Sequence, residues 1–233
     1  MMNSLQNVDL RLLSYQQKLA FWTNMYNACI MHGFLQHGVP SGSNPEKFLS
    51  LMNKATLNIG GNTINAHAIE HFILIKPVNS PKKEVNRKGE KEDKETVVRG
   101  LHGLEPFDPN IMFALCCGTR SSPAVKIYTS DGVTAELEKS KLEYLQASLI
   151  VTSTKKIAIP ELLLRNMNDF AQDLDSLVEW ICQQLPTSGS LRKSIVDCSE
   201  VLMEAKCPPL LRRYLMILSF NICYQYNTEL YFC

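Results

Sequence analysis

The stretch SYQQKLAFWTNMYNACIMHGFLQHGVP, Ser14 to Pro40, decides the fold. Ser14 and Gln17 have the spacing of a capping box, in which each side chain accepts the other's backbone N–H. Apolar residues then recur at Leu19, Trp22, Tyr26, Cys29 and Ile30, the repeat of a helix with one buried face. Gly38 and Pro40 stop it. The spacing predicts a helix over 15–36, with Phe21, Trp22, Met25 and Tyr26 in the core. Asn24 and Asn27 sit among these apolar positions, and a buried amide must find partners. They are expected either to tie down neighbouring backbone or to point into a site.

Outward from this helix, a loop at 41–45 leads to a short helix over 46–52. TLNIGGNTI is expected to form two short strands about a Gly60-Gly61 turn. Asn65 can cap a helix over AHAIEHFILI, which Pro77 ends. Residues 78–100 alternate charge with almost no apolar content, the signature of a mobile insertion. FDPNIMFALCCGTRSSPAVKIYT, Phe107 to Thr129, reads as a strand ending at Cys116, Cys117 and Gly118, a small polar loop, and a second strand over 124–129. Ser130 or Asp131 then caps a helix, LIVTSTKKIAI suggests a hairpin, and Pro160 can open another helix. NDFAQDLDSLVEWICQQLP is periodic, with Phe170, Leu174, Leu177, Ile181 and Leu185 on one face and Trp180 expected to be buried. A further helix is expected near 191–205. The segment CPPLLRRYLMILSFNICYQYNTELYFC, from Cys207 to the end, is apolar and aromatic with strand-like composition. The class is α+β: a single domain of several helices around a small, mostly antiparallel sheet, with a core over 10–186 and a distinct tail over 187–233.

The 233 residues suffice for one sizeable domain. With 24 basic and 23 acidic side chains the net charge is +1, which leaves no footprint for nucleic acid or an anionic membrane. No apolar run approaches the roughly 18 residues of a membrane span, and the first ten residues lack the apolar stretch of a signal peptide. The expectation is a cytosolic or nuclear protein whose eight cysteines are free thiols.

Three constellations can carry chemistry. HAIEH, His67 to His71, matches an H-x-x-E-H zinc pattern. It needs a third ligand, for which Glu136, Glu138 and Glu143 are the candidates. Cys117 beside Gly118 can be a nucleophile at a turn, with His71 as base, or a small buried side chain. Ser121 and Ser122 lack the flanking glycines of a nucleophile elbow.

KLAFWTNMYNACIMHGFL, NIGGNTINAHAIEHFIL, FALCCGTRSSPAVKIYT and IPELLLRNMNDFAQDLDSLVEWICQQLP, in this order, resemble the family called domain of unknown function 547, and most closely its plant branch, the leucine-zipper type of ternary complex factor. The resemblance spans residues 10–186. It implies hallmark positions at Trp22, Asn24, Tyr26, Asn27, Gly60, Gly61, Glu70, His71, Cys117 and Gly118. Ser122 stands where bacterial members carry a second loop cysteine, as it does in plant members. The N-terminal coiled coil of plant members is not seen, and the tail departs from the family ending, which suggests a truncated or alternatively spliced product. The preferred reading is an interaction module with a protein partner, no nucleic acid, no membrane and no cofactor. The runner-up is a thiol-dependent hydrolase or transferase built on Cys117, His71, Glu70 and Asn24. A zinc site on H-x-x-E-H is the third.

Overall fold

The computed structural model describes residues 2–40, 45–76, 94–118 and 122–204. Its contacts group the chain into two compact units, Met1–Ser140 and Lys141–Cys233.

In the first unit, α1 (Tyr15–His37) is the central element. The Ser14–Gln17 capping box forms in full, so the first backbone N–H groups are satisfied before the apolar face begins. That face buries Leu19, Trp22, Tyr26, Cys29 and Ile30 as the spacing predicts. α1 packs against α2 (Pro45–Lys54) and against the segment that follows the β1–β2 hairpin. β1 (Thr56–Ile59) and β2 (Asn62–Asn65) are antiparallel, with Leu57 opposite Ile64. The turn between them needs positive φ at two successive residues, and Gly60 (+58°) and Gly61 (+82°) supply it without strain. The hairpin also packs on the one-turn N-terminal helix Met2–Asn7, whose Leu5 carbonyl accepts the Gly60 N–H at 2.9 Å.

Asn65 caps the next helix by accepting the Ala68 N–H at 2.8 Å. The sequence suggests one α-helix here. Instead a single α turn, α3 (Ala66–Ala68), continues as a π-helix over Ile69–Leu74. Arg99 explains part of its stability, donating to the carbonyls of His71 (2.8 Å) and Ile75 (3.4 Å) at the end of the turn. Arg99 belongs to α4 (Lys94–His102). Most of the charged run over 78–100 lies outside the described residues, but 94–100 open α4 rather than continue a loop. Trp22 is fully buried, with the His102 ring 5.4 Å away, edge to face. Burial, with Lys18 nearby, pulls the His102 pKa below its ordinary value, so the imidazole beside Trp22 is neutral near pH 7.

Two expected strands are absent. Residues 109–113 form a 3-10 turn, because Asp108 caps it by accepting the Asn110 N–H and Pro109 sits in its first turn. Residues 122–129 carry neither helix nor strand. α5 (Val133–Ser148) follows, and Thr129 with Glu136 organises its start in place of Ser130 or Asp131.

In the second unit, β3 (Ile150–Val151) and β4 (Ile157–Ala158) form a short antiparallel hairpin. α6 (Glu161–Arg165) begins one residue after Pro160, which is its cap. The periodic helix is shorter than its pattern: α7 (Leu174–Gln184) starts at an Asp173–Ser176 capping box. Phe170 lies before it and stacks on Trp180, ring centroids 4.3 Å apart. Trp180 is partly buried. α8 (Ser190–Glu204) packs on α7. The class is α+β, with two separate two-stranded hairpins in place of one sheet.

Trp22 tests this core. Its indole Nε1 is buried and finds no hydrogen-bond partner among the described residues. Trp22→Ala should cost about 3–5 kcal/mol in chemical denaturation. Trp22→Phe keeps most of the volume and removes the unsatisfied N–H, so it should cost less than half of that. Equal losses would show that the indole N–H is satisfied after all.

Candidate functional site

Asn24 and Asn27 lie on α1 one helical turn apart, so their amides leave the helix on neighbouring positions. An amide carries a donor and an acceptor side by side, the arrangement a strand edge presents to its neighbour. Asn24 uses both on one residue. Its Nδ2 donates to the Tyr128 carbonyl at 2.7 Å, and its Oδ1 accepts the Tyr128 N–H at 2.9 Å. Asn27 does the same across a bend: its Nδ2 donates to the Ala114 carbonyl at 3.0 Å and its Oδ1 accepts the Cys116 N–H at 2.9 Å. The missing strands are thus replaced by side-chain clamps.

Between these clamps runs the cysteine loop. Ser122 Oγ accepts the Cys117 N–H at 2.9 Å and the Gly118 N–H at 3.3 Å. Gly118 has φ +72°, and a Cβ there would fall 2.3 Å from the Phe34 ring, so any side chain would be both strained and obstructed. Cys116 and Cys117 are half-exposed.

Tyr26 is where the hallmark side chains meet. Its ring is fully buried under α1. Burial lifts its hydroxyl pKa well above the ordinary value, and the charges of Glu70, Cys117 and Cys116 add to the rise. Glu70 and the two cysteines, from segments far apart in sequence, therefore lie within electrostatic reach of one buried hydroxyl. The π-helix turns the neighbouring positions different ways: the Glu70 side chain is 20% exposed and that of His71 44%. His71 Nε2 stands 3.9 Å from Glu70 Oε1, longer than a hydrogen bond.

Of the four residues picked out for thiol chemistry, Glu70 and Cys117 both bear electrostatically on the Tyr26 hydroxyl, and His71 is the more exposed neighbour of Glu70. Asn24 clamps backbone instead. Tyr26 was legible only as core, although a hydroxyl on an otherwise apolar face is itself a signal. Ser122 works as a loop clamp, its hydroxyl accepting two backbone N–H groups. For the zinc pattern, the His67 and His71 rings are 4.6 Å apart and tilted by 50°. Glu136 is engaged by Thr129, and Glu138 accepts from Asn110 at 2.7 Å. Among the described residues no three His, Cys, Asp or Glu side chains converge to hold a metal ion.

A family model described as "Protein of unknown function, DUF547" matches residues 10–145, which span α1, the hairpin, the π-helix and the cysteine loop. The chain belongs to the DUF547 family. Neither a curated protein nor a solved structure matches it. Within this DUF547 domain, the clamps occupy the hallmark positions Asn24 and Asn27. No helix among the described residues is long and apolar enough to cross a membrane.

The clamps differ in burial, which makes them separable. Asn27 is buried and Asn24 half-buried. Asn27→Ala orphans a backbone acceptor and a donor away from water and should cost on the order of 2–4 kcal/mol. Asn24→Ala should cost less, because water can reach Tyr128 backbone more readily. Denaturation curves that rank them the other way would show that the Tyr128 clamp is the stronger one.

Proposed function

We propose that this DUF547 domain is a protein interaction module whose binding surface includes residues 124–127. The observation that carries the reading is an exposed, strand-like segment. Val125 is 47% and Ile127 85% exposed, while Tyr128 is buried and held by Asn24. Side chains two apart in an extended chain share a face, and Val125 and Ile127 are such a pair. Among the described residues no strand pairs with this segment. A partner's extended segment can add beside it, covering two β-branched side chains and taking up backbone groups. The balanced net charge of +1 suits a partner recognised by apolar cover rather than by electrostatic steering. We also place the chain in the plant branch of the family, of the ternary complex factor type, acting in the cytosol or nucleus; Ser122 in the loop supports that placement.

Affinity capture tests it. The wild-type chain should retain a binding protein that a Val125→Lys/Ile127→Lys double variant loses. Titration of that purified partner should show Kd rising by about tenfold or more. Equal binding by both forms would sink the reading.

One observation favours a second reading: the charges of Glu70 and Cys117 both bear on the buried Tyr26 hydroxyl. In it Cys117 is the nucleophile of a Cys/His hydrolase or transferase, and His71, beside Glu70, is its base. Burial pushes the Cys29 thiol up to about 12, so that residue should stay unlabelled. Iodoacetamide should modify Cys117 first at neutral pH, and His71→Ala should slow that reaction. Labelling indifferent to His71 would remove the enzyme.

A further inference from the structure

We propose that α4 is a detachable clip that sets the register of the helix bearing Glu70 and His71. While Arg99 occupies the His71 carbonyl the segment is a π-helix, and when α4 lets go it reverts to an α-helix. The proposal rests on neither the interaction surface nor the thiol reading.

In a regular α-helix the N–H of Ile75 would bond the carbonyl four residues back, that of His71. Here the Arg99 guanidinium donates to that carbonyl at 2.8 Å. The Ile75 N–H reaches one residue further back and donates to the Glu70 carbonyl at 2.9 Å. A carbonyl can accept two donors, but a charge-assisted bond is roughly twice as strong as one between neutral groups. The guanidinium therefore takes the His71 oxygen, and the displaced amide closes the wider turn. Arg99 also donates to the Ile75 carbonyl at 3.4 Å, and the Leu104 N–H donates to the Ile73 carbonyl at 3.3 Å. The carbonyls of residues 71, 73 and 75 are thus all served from residues 99–104. Ile73 and Leu74 are fixed by burial in the core. The register then decides how Glu70 and His71 are turned relative to them.

The grip is weak enough to be reversible. No side chain over 96–102 is buried. Val97 and Leu101, one turn apart, are exposed, and Val98 is only partly buried against the core. The His102 ring rests edge to face on Trp22. With 9 residues, α4 falls short of the roughly 12–15 at which an isolated helix becomes stable in water, and Gly100 inside it weakens it further. α4 thus keeps its helical form by leaning on the π-helix, and the π-helix keeps its register by leaning on α4. Two marginal elements that support each other open together as a local unit, without unfolding α1 or the hairpin. Leu104 is buried and keeps the released segment tethered.

Scalar coupling across hydrogen bonds reads the register directly in the isotope-labelled full chain. In the wild type the Ile75 amide nitrogen should couple to the Glu70 carbonyl carbon. In Arg99→Ala that coupling should vanish and one to the His71 carbonyl carbon should replace it, while the amides of α1 keep their exchange rates. Arg99→Lys should retain the Glu70 coupling in part, since an ammonium keeps the charge but not the fork. Hydrogen exchange of the wild type decides independently if Arg99→Ala fails to fold. The amides over 73–75 and those of α4 should then share one protection, lower than that of α1. A Glu70 coupling that persists in folded Arg99→Ala, loss of both couplings, or exchange of α4 at its own rate with 73–75 still protected would overturn the proposal.

Discussion

Two amides on one helix hold the first unit in register. Asn24 and Asn27 are a single turn apart on α1, and each binds backbone with donor and acceptor together. The chain from Cys116 to Tyr128 is therefore pinned at both ends to the same short length of helix. Ser122 and the Phe34–Gly118 contact then fix its middle. The position of Cys117 thus follows from α1. The capping box and buried face of α1 hold the amides, and the amides hold the loop.

This arrangement also explains how far the fold could be read from residues alone. α1 and the β1–β2 hairpin were legible because their signals are local: a capping box with a 3.6-residue repeat, and two glycines where positive φ is required. The segments at 107–115 and 124–129 have strand composition yet form no strand. Their bonding needs are met by side chains of α1 roughly a hundred residues away, and no window along the sequence contains both partners. α4 was missed for a related reason. Its first residues have the composition of the charged run before them, and what anchors the helix is the grip of Arg99 on the π-helix carbonyls. The π-helix has no local signature at all.

The hallmark positions divide once their structural work is known. Asn24 and Asn27 are clamps. Gly60 and Gly61 turn the hairpin, Gly118 lets Phe34 close on the loop, and Trp22 fills the core. Each is explained by the fold without appeal to a ligand. Tyr26, Glu70, Cys117 and the neighbouring His71 are not explained this way. A tyrosine with a buried hydroxyl is a poorer core residue than phenylalanine unless that hydroxyl is used.

Glu70 makes the point more strongly. A carboxylate only one-fifth exposed carries a desolvation cost, and its charge adds to the rise of the buried Tyr26 hydroxyl pKa. The π-helix that aims it inward is itself an irregular element of a kind often found at functional sites. A chain selected for stability alone would place an apolar side chain at position 70 and keep the regular helix. A partly buried carboxylate on an irregular helix, with its charge felt at a buried tyrosine, is not accounted for by packing alone.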